Sequence, residues 1–319
     1  MTNPKNILIA VDGSSYSLGA LNYVAFQCRG LRTRVNLLYV LPMASEELIW
    51  QINVNGEFKR SIEESYYEFN RQCERRAQES IDQAKDILVN LGMAPRYVTG
   101  GPQMWQAGIA RDILKEAQKD YDAVVIGRRG ISRLEAMLLG SVSTKVVQGS
   151  EKTPVWVIGN SSASPERGPG MLLAVDGSEN SRKAVEYASA FAAGNGAEVT
   201  LCHVERRLLS EAATPAMEKT AEKIERELHE RMKPKVQEMF ETYRSILMDA
   251  GVAPDKIATV YRTGSYSRAS ELLETARSGR FDTIVLGRRG ISAVREFFMG
   301  RVTSKVVHGA NDLSVWIVP

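Results

Sequence analysis

The chain has 319 residues, 44% hydrophobic and 25% charged, with a formal net charge of +3. At about 150 residues per domain this length implies two domains, and the composition is that of globular protein able to bury real cores, not of a disordered chain. Lys and Arg nearly balance Asp and Glu in both halves, which argues against a module built to hold nucleic acid.

In chain order, residues 7–11 form a continuous apolar run that reads as a buried strand and ends on Asp12-Gly13. Leu18, Leu21, Val24, Ala25 and Cys28 follow at helical spacing, then a second strand over 35–40. Ile62, Tyr66, Phe69, Cys73, Ala77, Ile81, Ala84 and Leu88 predict a long helix over residues 58–92, and 96–99 a weak strand. Ile109, Ile113, Leu114 and Ala117 make a short helix, 124–126 a fourth strand closed by Gly127, and Gly140-Ser141 opens a helix through Thr144, Val146 and Val147. A fifth strand spans 155–158.

The series then repeats. Ile7-Leu8-Ile9-Ala10-Val11-Asp12-Gly13-Ser14 returns as Met171-Leu172-Leu173-Ala174-Val175-Asp176-Gly177-Ser178. Gly127-Arg128-Arg129-Gly130-Ile131-Ser132 returns as Gly287-Arg288-Arg289-Gly290-Ile291-Ser292, and Pro154-Val155-Trp156-Val157 as Ser314-Val315-Trp316-Ile317. A whole domain is duplicated: 1–159, a linker at 160–169 rich in Ser, Pro and Gly, and 170–319. In the second copy the long helix passes through Ile224, Leu228, Met232, Val236 and Phe240, where Pro234 is expected to kink or break it, and 259–263 is the weak strand. Strands alternating with helices give two doubly wound, five-stranded parallel-sheet α/β domains. The apolar last strands lie at sheet edges and are natural pairing surfaces.

Ligands of such sheets bind outside the carboxyl ends of the strands, where the strand order reverses. Asp12, Gly127, Gly130 and Gly140 fall there. Glycines let backbone N–H groups approach phosphate oxygens, a helix N-terminus adds donors and a favourable dipole, and Ser141 adds a hydroxyl; the plainer reading is a tight turn and close packing. Arg128, Arg129, Arg288 and Arg289 read either as neutralisers of a polyphosphate or a partner's acidic groups, or as solvated loop arginines. Asp12 and Asp176 suit either Mg²⁺ or a turn. His203, His229 and His308 are scattered without ligand spacing, and Cys28, Cys73 and Cys202 read as buried or idle thiols. No apolar run approaches the ~20 residues that span a bilayer and no leader pattern opens the chain, so a cytoplasmic protein without membrane contact is expected.

The spacing Gly127-x2-Gly130-x9-Gly140-Ser141, with Asp12 ending the first strand, resembles the universal stress protein family over nearly the whole chain. That resemblance implies an adenine-nucleotide alpha-hydrolase-like fold and ATP as ligand, with Asp12 and Val40 on the adenine side and Val142 lining the pocket. Gly127, Arg129, Gly130, Gly140 and Ser141 would then surround phosphates and ribose. In the second copy Asp176, Gly287, Gly290 and Gly300 keep the spacing, but Arg301 stands where Ser or Thr is expected, which leaves that site open between binding and filling the pocket. The resemblance further implies an internal pseudo-dimer through the last strands, and leaves a homodimer open.

Neither a Walker A pattern nor the S-G-G-x-D-S loop of pyrophosphatase-type enzymes is present. The expectation is an ATP-binding stress-response regulator with an unidentified protein partner, no catalytic residues and at most slow hydrolysis. The alternatives are a nucleotide-independent scaffold and an enzyme acting on an adenylate-type cofactor.

Overall fold

A computed structural model describes residues 5–41, 59–130, 139–159, 169–207, 215–290 and 299–319. The chain divides into two compact units, Met1–Ala25 with Arg32–Thr153, and Phe26–Leu31 with Pro154–Pro319.

The first unit contains strands β1 (Lys5–Ala10), β2 (Thr33–Leu41), β3 (Val98–Met104) and β4 (Ala123–Gly127). They lie in the order β3-β2-β1-β4, all parallel. Ile7, Leu8, Ile9, Val124 and Val125 are fully buried, as continuous apolar strands covered on both faces must be. Helices α1 (Ser15–Gln27), α2 (Lys59–Asn90), α3 (Ile109–Ala117) and α4 (Ser141–Gly149) make the crossovers. Because β2 follows β1 to one side and β4 lies on the other, the order reverses between β1 and β4.

β3 starts and ends later than its sequence indicates. Within it Gly100 has φ +118° and an added Cβ would overlap the backbone of Leu37, so only glycine lets this edge strand approach β2. Pro102 is tolerated because β3 lies at the edge.

The second unit contains β5 (Val155–Ile158), β6 (Gly170–Ala174), β7 (Glu198–Arg206), β8 (Ile257–Ser265), β9 (Thr283–Gly287) and β10 (Ser314–Val318). Their order is β5-β10-β9-β6-β7-β8, with every pairing parallel except the antiparallel β5–β10. The last strands of the two copies thus pair with each other, Trp156 directly opposite Trp316. Their indoles stack at 4.0 Å, Phe191 meets both edge-on at 5.1 Å, and the Trp156 indole N–H donates to the Tyr187 hydroxyl at 3.0 Å. This aromatic core ties β5 to the second unit although it ends the first repeat.

The unit's helices are α5 (Glu179–Asn195), α6 (Pro215–Asp249), α7 (Arg268–Ser278) and α8 (Arg301–Gly309). Of the kink or break expected at Pro234, the break does not occur: α6 runs on through it. Pro234 is exposed, so water can satisfy the carbonyl that loses its intrahelical donor. Phe69, Ile224 and Leu228, expected on core faces, are exposed, whereas Ala77, Ile81, Ala84, Leu88, Val236 and Phe240 are buried. Among the described side chains, the stripe of α2 enters the core in its C-terminal half, and that of α6 does so mainly at Val236, Phe240, Tyr243 and Leu247, with Ala221 buried nearer its start. Cys28 and Cys202 are buried and Cys73 is half-buried, all three as free thiols; burial pushes the Cys202 thiol up to about 12, which suits an unreactive thiol.

Tyr121 shows how the copies differ in detail. Its hydroxyl donates to Glu116 Oε1 at 2.8 Å and accepts from Asn36 Nδ2 at 2.6 Å. Burial and the Glu116 hydrogen bond push its pKa up to about 12. A raised folded pKa means the contribution is whole below the unfolded value near 10 and is lost as pH rises towards 12. Tyr121→Phe is expected to cost about 1 kcal/mol at neutral pH, with the gap from wild type closing between pH 10 and 12 in denaturant titrations. A gap that does not change across that range would contradict it.

Candidate functional site

In the first unit the Val11 N–H donates to the Leu38 carbonyl at 2.9 Å, and β1 then gives way to a turn at Gly13, whose φ of +74° favours glycine. Asp12 Oδ1 accepts the Ser14 N–H at 3.0 Å, so the turn role of this carboxylate is real. Its other oxygen faces Gly130, where an added Cβ would overlap Oδ2. Gly127 is equally constrained, since its Cβ would lie 3.0 Å from the Tyr16 backbone. Gly13, Gly127 and Gly130 thus let three chain segments approach within one crevice at the β1/β4 reversal.

Beyond β4 the Gly140 N–H donates to the Arg128 carbonyl at 3.0 Å, and the Ser143 hydroxyl to the Gly127 carbonyl at 2.9 Å. These bonds aim the N-terminus of α4 at the same crevice. No side chain caps that helix, so its first N–H groups remain available to an anion. Ser141 is exposed at its first turn, and Val142 is half-buried beside it. Val40, near the end of β2, is buried. Next to it the Tyr39 pKa is raised, chiefly by burial, with Arg76 opposing the shift and Asp12 adding to it.

The second unit reproduces the frame. The Ser178 N–H donates to Asp176 Oδ1 at 3.0 Å, a Cβ on Gly290 would overlap Asp176 Oδ2, Gly300 N–H donates to the Arg288 carbonyl at 2.9 Å, and Thr303 replaces Ser143 on the Gly287 carbonyl. Ser143 and Thr303 lie outside the glycine signature, and their equivalence is legible only in the position-by-position match of the two repeats. Arg301 is exposed at the start of α8.

The reading of all four loop arginines as solvated does not hold. Arg128 is 2% and Arg288 6% exposed, while Arg129 and Arg289 are half-buried. Nor are two of the histidines scattered: His203 and His229 both lie against the Tyr261 ring, at 5.5 and 5.1 Å, and His229 Nδ1 is 3.2 Å from Glu205. Spacing along the chain could not show this, because three separate elements supply the cluster. Among the described residues no three His, Cys, Asp or Glu side chains gather to hold a metal, and no helix is long and apolar enough to cross a membrane.

The duplicated parallel sheet, with a glycine-lined crevice at each strand-order reversal, defines a tandem doubly wound α/β protein. The universal stress protein family model matches residues 3–159 and 170–319, and the chain belongs to that family. A universal stress protein of Mycolicibacterium smegmatis is 25% identical over 310 residues, covering 96% of this chain and 94% of that protein. Universal stress protein YxiE of Bacillus subtilis is 30% identical over 137 residues, 43% of this chain and 89% of its own length. Among solved structures, a universal stress protein from Archaeoglobus fulgidus has the same fold over 99% of both chains, with a TM-score of 0.66 at 18% identity.

Proposed function

We propose that the chain is an ATP-binding regulatory protein of stress response, in which nucleotide bound to the first unit alters the surface offered to a protein partner. The observation that carries this reading is the uncapped N-terminus of α4, held by Gly140 and Ser143 over a crevice where Gly127 and Gly130 leave no room for side chains. Such a cradle fits phosphate oxygens, which accept from backbone N–H groups. Asp12 is the carboxylate that would hold Mg²⁺, an ion usually bound by one or two carboxylates together with phosphate oxygens. Val40, Asp12 and Val142 would hold the nucleoside, and Gly127, Arg129, Gly130, Gly140 and Ser141 the phosphates and ribose.

Turnover needs a base or positioned water at the γ-phosphate, and the crevice offers Asp12 with one oxygen already bonded to the Ser14 N–H. Hydrolysis is accordingly slow or absent, and the nucleotide acts as a ligand. Calorimetric titration of nucleotide-free protein with ATP should give one equivalent, tighter with Mg²⁺. Ser141→Ala should weaken binding by about 1 kcal/mol, roughly fivefold. Absence of binding to the wild type would leave the scaffold reading in its place, and fast Mg²⁺-dependent turnover would favour an enzyme.

A further inference from the structure

We infer that Arg268 closes the nucleoside end of the second unit from within, so that adenine nucleotides enter the first unit only. The inference rests on the reading of the β1/β4 crevice as the nucleotide site. Its geometry comes from the strand ends.

In a strand, residues two apart turn their backbone groups the same way. The Leu38 carbonyl accepts from Val11 on β1's side, so the Val40 carbonyl also turns to that side, beyond the point where β1 has given way to the Gly13 turn. It is therefore a main-chain acceptor at the end of the crevice away from the α4 N-terminus, and it suits the donor edge of a base. In the second unit Val175 N–H donates to the Cys202 carbonyl at 2.9 Å, and the Val204 carbonyl, two residues on, is the counterpart of Val40.

That acceptor is taken. Arg268 Nε donates to the Val204 carbonyl at 3.1 Å. Arg268 is exposed and its bond to Val204 is part-buried, so the guanidinium sits at the solvent-facing end of β7, on the acceptor itself, and not in the core. The neighbouring acceptor is engaged as well, with His203 Nδ1 2.8 Å from the Val175 carbonyl. Arg268 is held where it emerges: the Ser267 side chain caps α7 through the Ser270 N–H, and Glu271 takes both the Ser265 hydroxyl at 2.6 Å and Arg262 at 3.6 Å. In the first unit the position before the buried Ala110 of α3 is Ile109, which has no donor, where the second unit has Arg268 before the buried Ala269.

A base entering the second unit would have to displace a charge-assisted hydrogen bond, stronger than the neutral one it would form. It would also leave the guanidinium to find a new partner. At the phosphate end Arg301 replaces the hydroxyl of Ser141. The two copies keep one frame and differ at its two ends.

The test is a gain of binding in a Gly140→Asp background, which removes the first site by charge. Into it go Arg268→Ile, the residue of the first unit, and Arg301→Ser. Equilibrium dialysis with labelled ATP should find no bound nucleotide in the background protein and close to one equivalent in the triple variant, an affinity gain of at least about tenfold. Two equivalents on the wild type would overturn the inference, as would a folded triple variant, with wild-type circular dichroism and melting, that binds none. Should Arg268→Ile unfold, Arg268→Met keeps the length without donors and is judged alike. A wild type that binds nothing overturns the first-unit reading alone, since the gain at the second unit is read independently.

Discussion

Replacing Gly140 with aspartate is expected to abolish ATP binding while leaving the protein slightly more stable. The backbone at Gly140 (φ −62°, ψ 151°) suits any residue, and an added Cβ would meet the Arg128 carbonyl, Arg129 Cα and Ser143 Oγ at ordinary contact distances of 3.4 to 3.5 Å. The position precedes a helix that lacks a side-chain cap, and aspartate in that place is favoured over glycine by roughly a few tenths of a kcal/mol. The same carboxylate competes with phosphate for the first N–H groups of α4 and repels it. Like charges so placed cost several kcal/mol, a loss of ~100-fold or more in affinity. Calorimetry with ATP and a thermal melt separate the effects: a stable protein that no longer binds supports the phosphate at α4, retained binding removes it, and a drop in both signals damage. Gly300→Asp, at φ −62° and ψ 149° in the second unit, should leave the stoichiometry unchanged.

Trp316→Ala should produce the largest loss of stability, about 3–5 kcal/mol. Trp316 is fully buried, stacked on Trp156 and met edge-on by Phe191 and Tyr187. Removing it deletes a large apolar side chain and also the partner surface of three other rings, so the cavity is lined by aromatics that cannot collapse without moving the β5–β10 pair. Stacked indoles also couple optically, and the near-ultraviolet circular dichroism of the pair should vanish together with the stability. A cost under 1 kcal/mol in urea titrations would mean that the pair does not hold β5 in place.

The strands, the duplication and the glycine spacing were legible because each is written locally. Buried parallel strands read as unbroken apolar runs, and a repeat needs only the chain laid against itself. What was not legible depends on who covers whom. Helical spacing shows which face of α2 or α6 is apolar, but not that Phe69, Ile224 and Leu228 on it stay exposed. Arg128 and Arg288 read as ordinary loop charges along the chain, and only the folded structure shows both side chains buried, with their carbonyls accepting from the Gly140 and Gly300 N–H groups. Arg268 looks like a surface residue in the first turn of a helix, and its bond to Val204 becomes visible only once β7 and α7 share a crevice.

The pairing of β5 with β10 bears on how the protein can be taken apart. Residues 170–319 produced alone would carry β10 without its antiparallel neighbour, leaving Val315, Trp316 and Ile317 along an open, apolar margin. Such a margin is adhesive, and its readiest complement is the same margin on an identical fragment. Severing the duplicated chain between its halves should therefore yield particles that double up in solution, and adding back a fragment that ends in β5 should compete with that self-association.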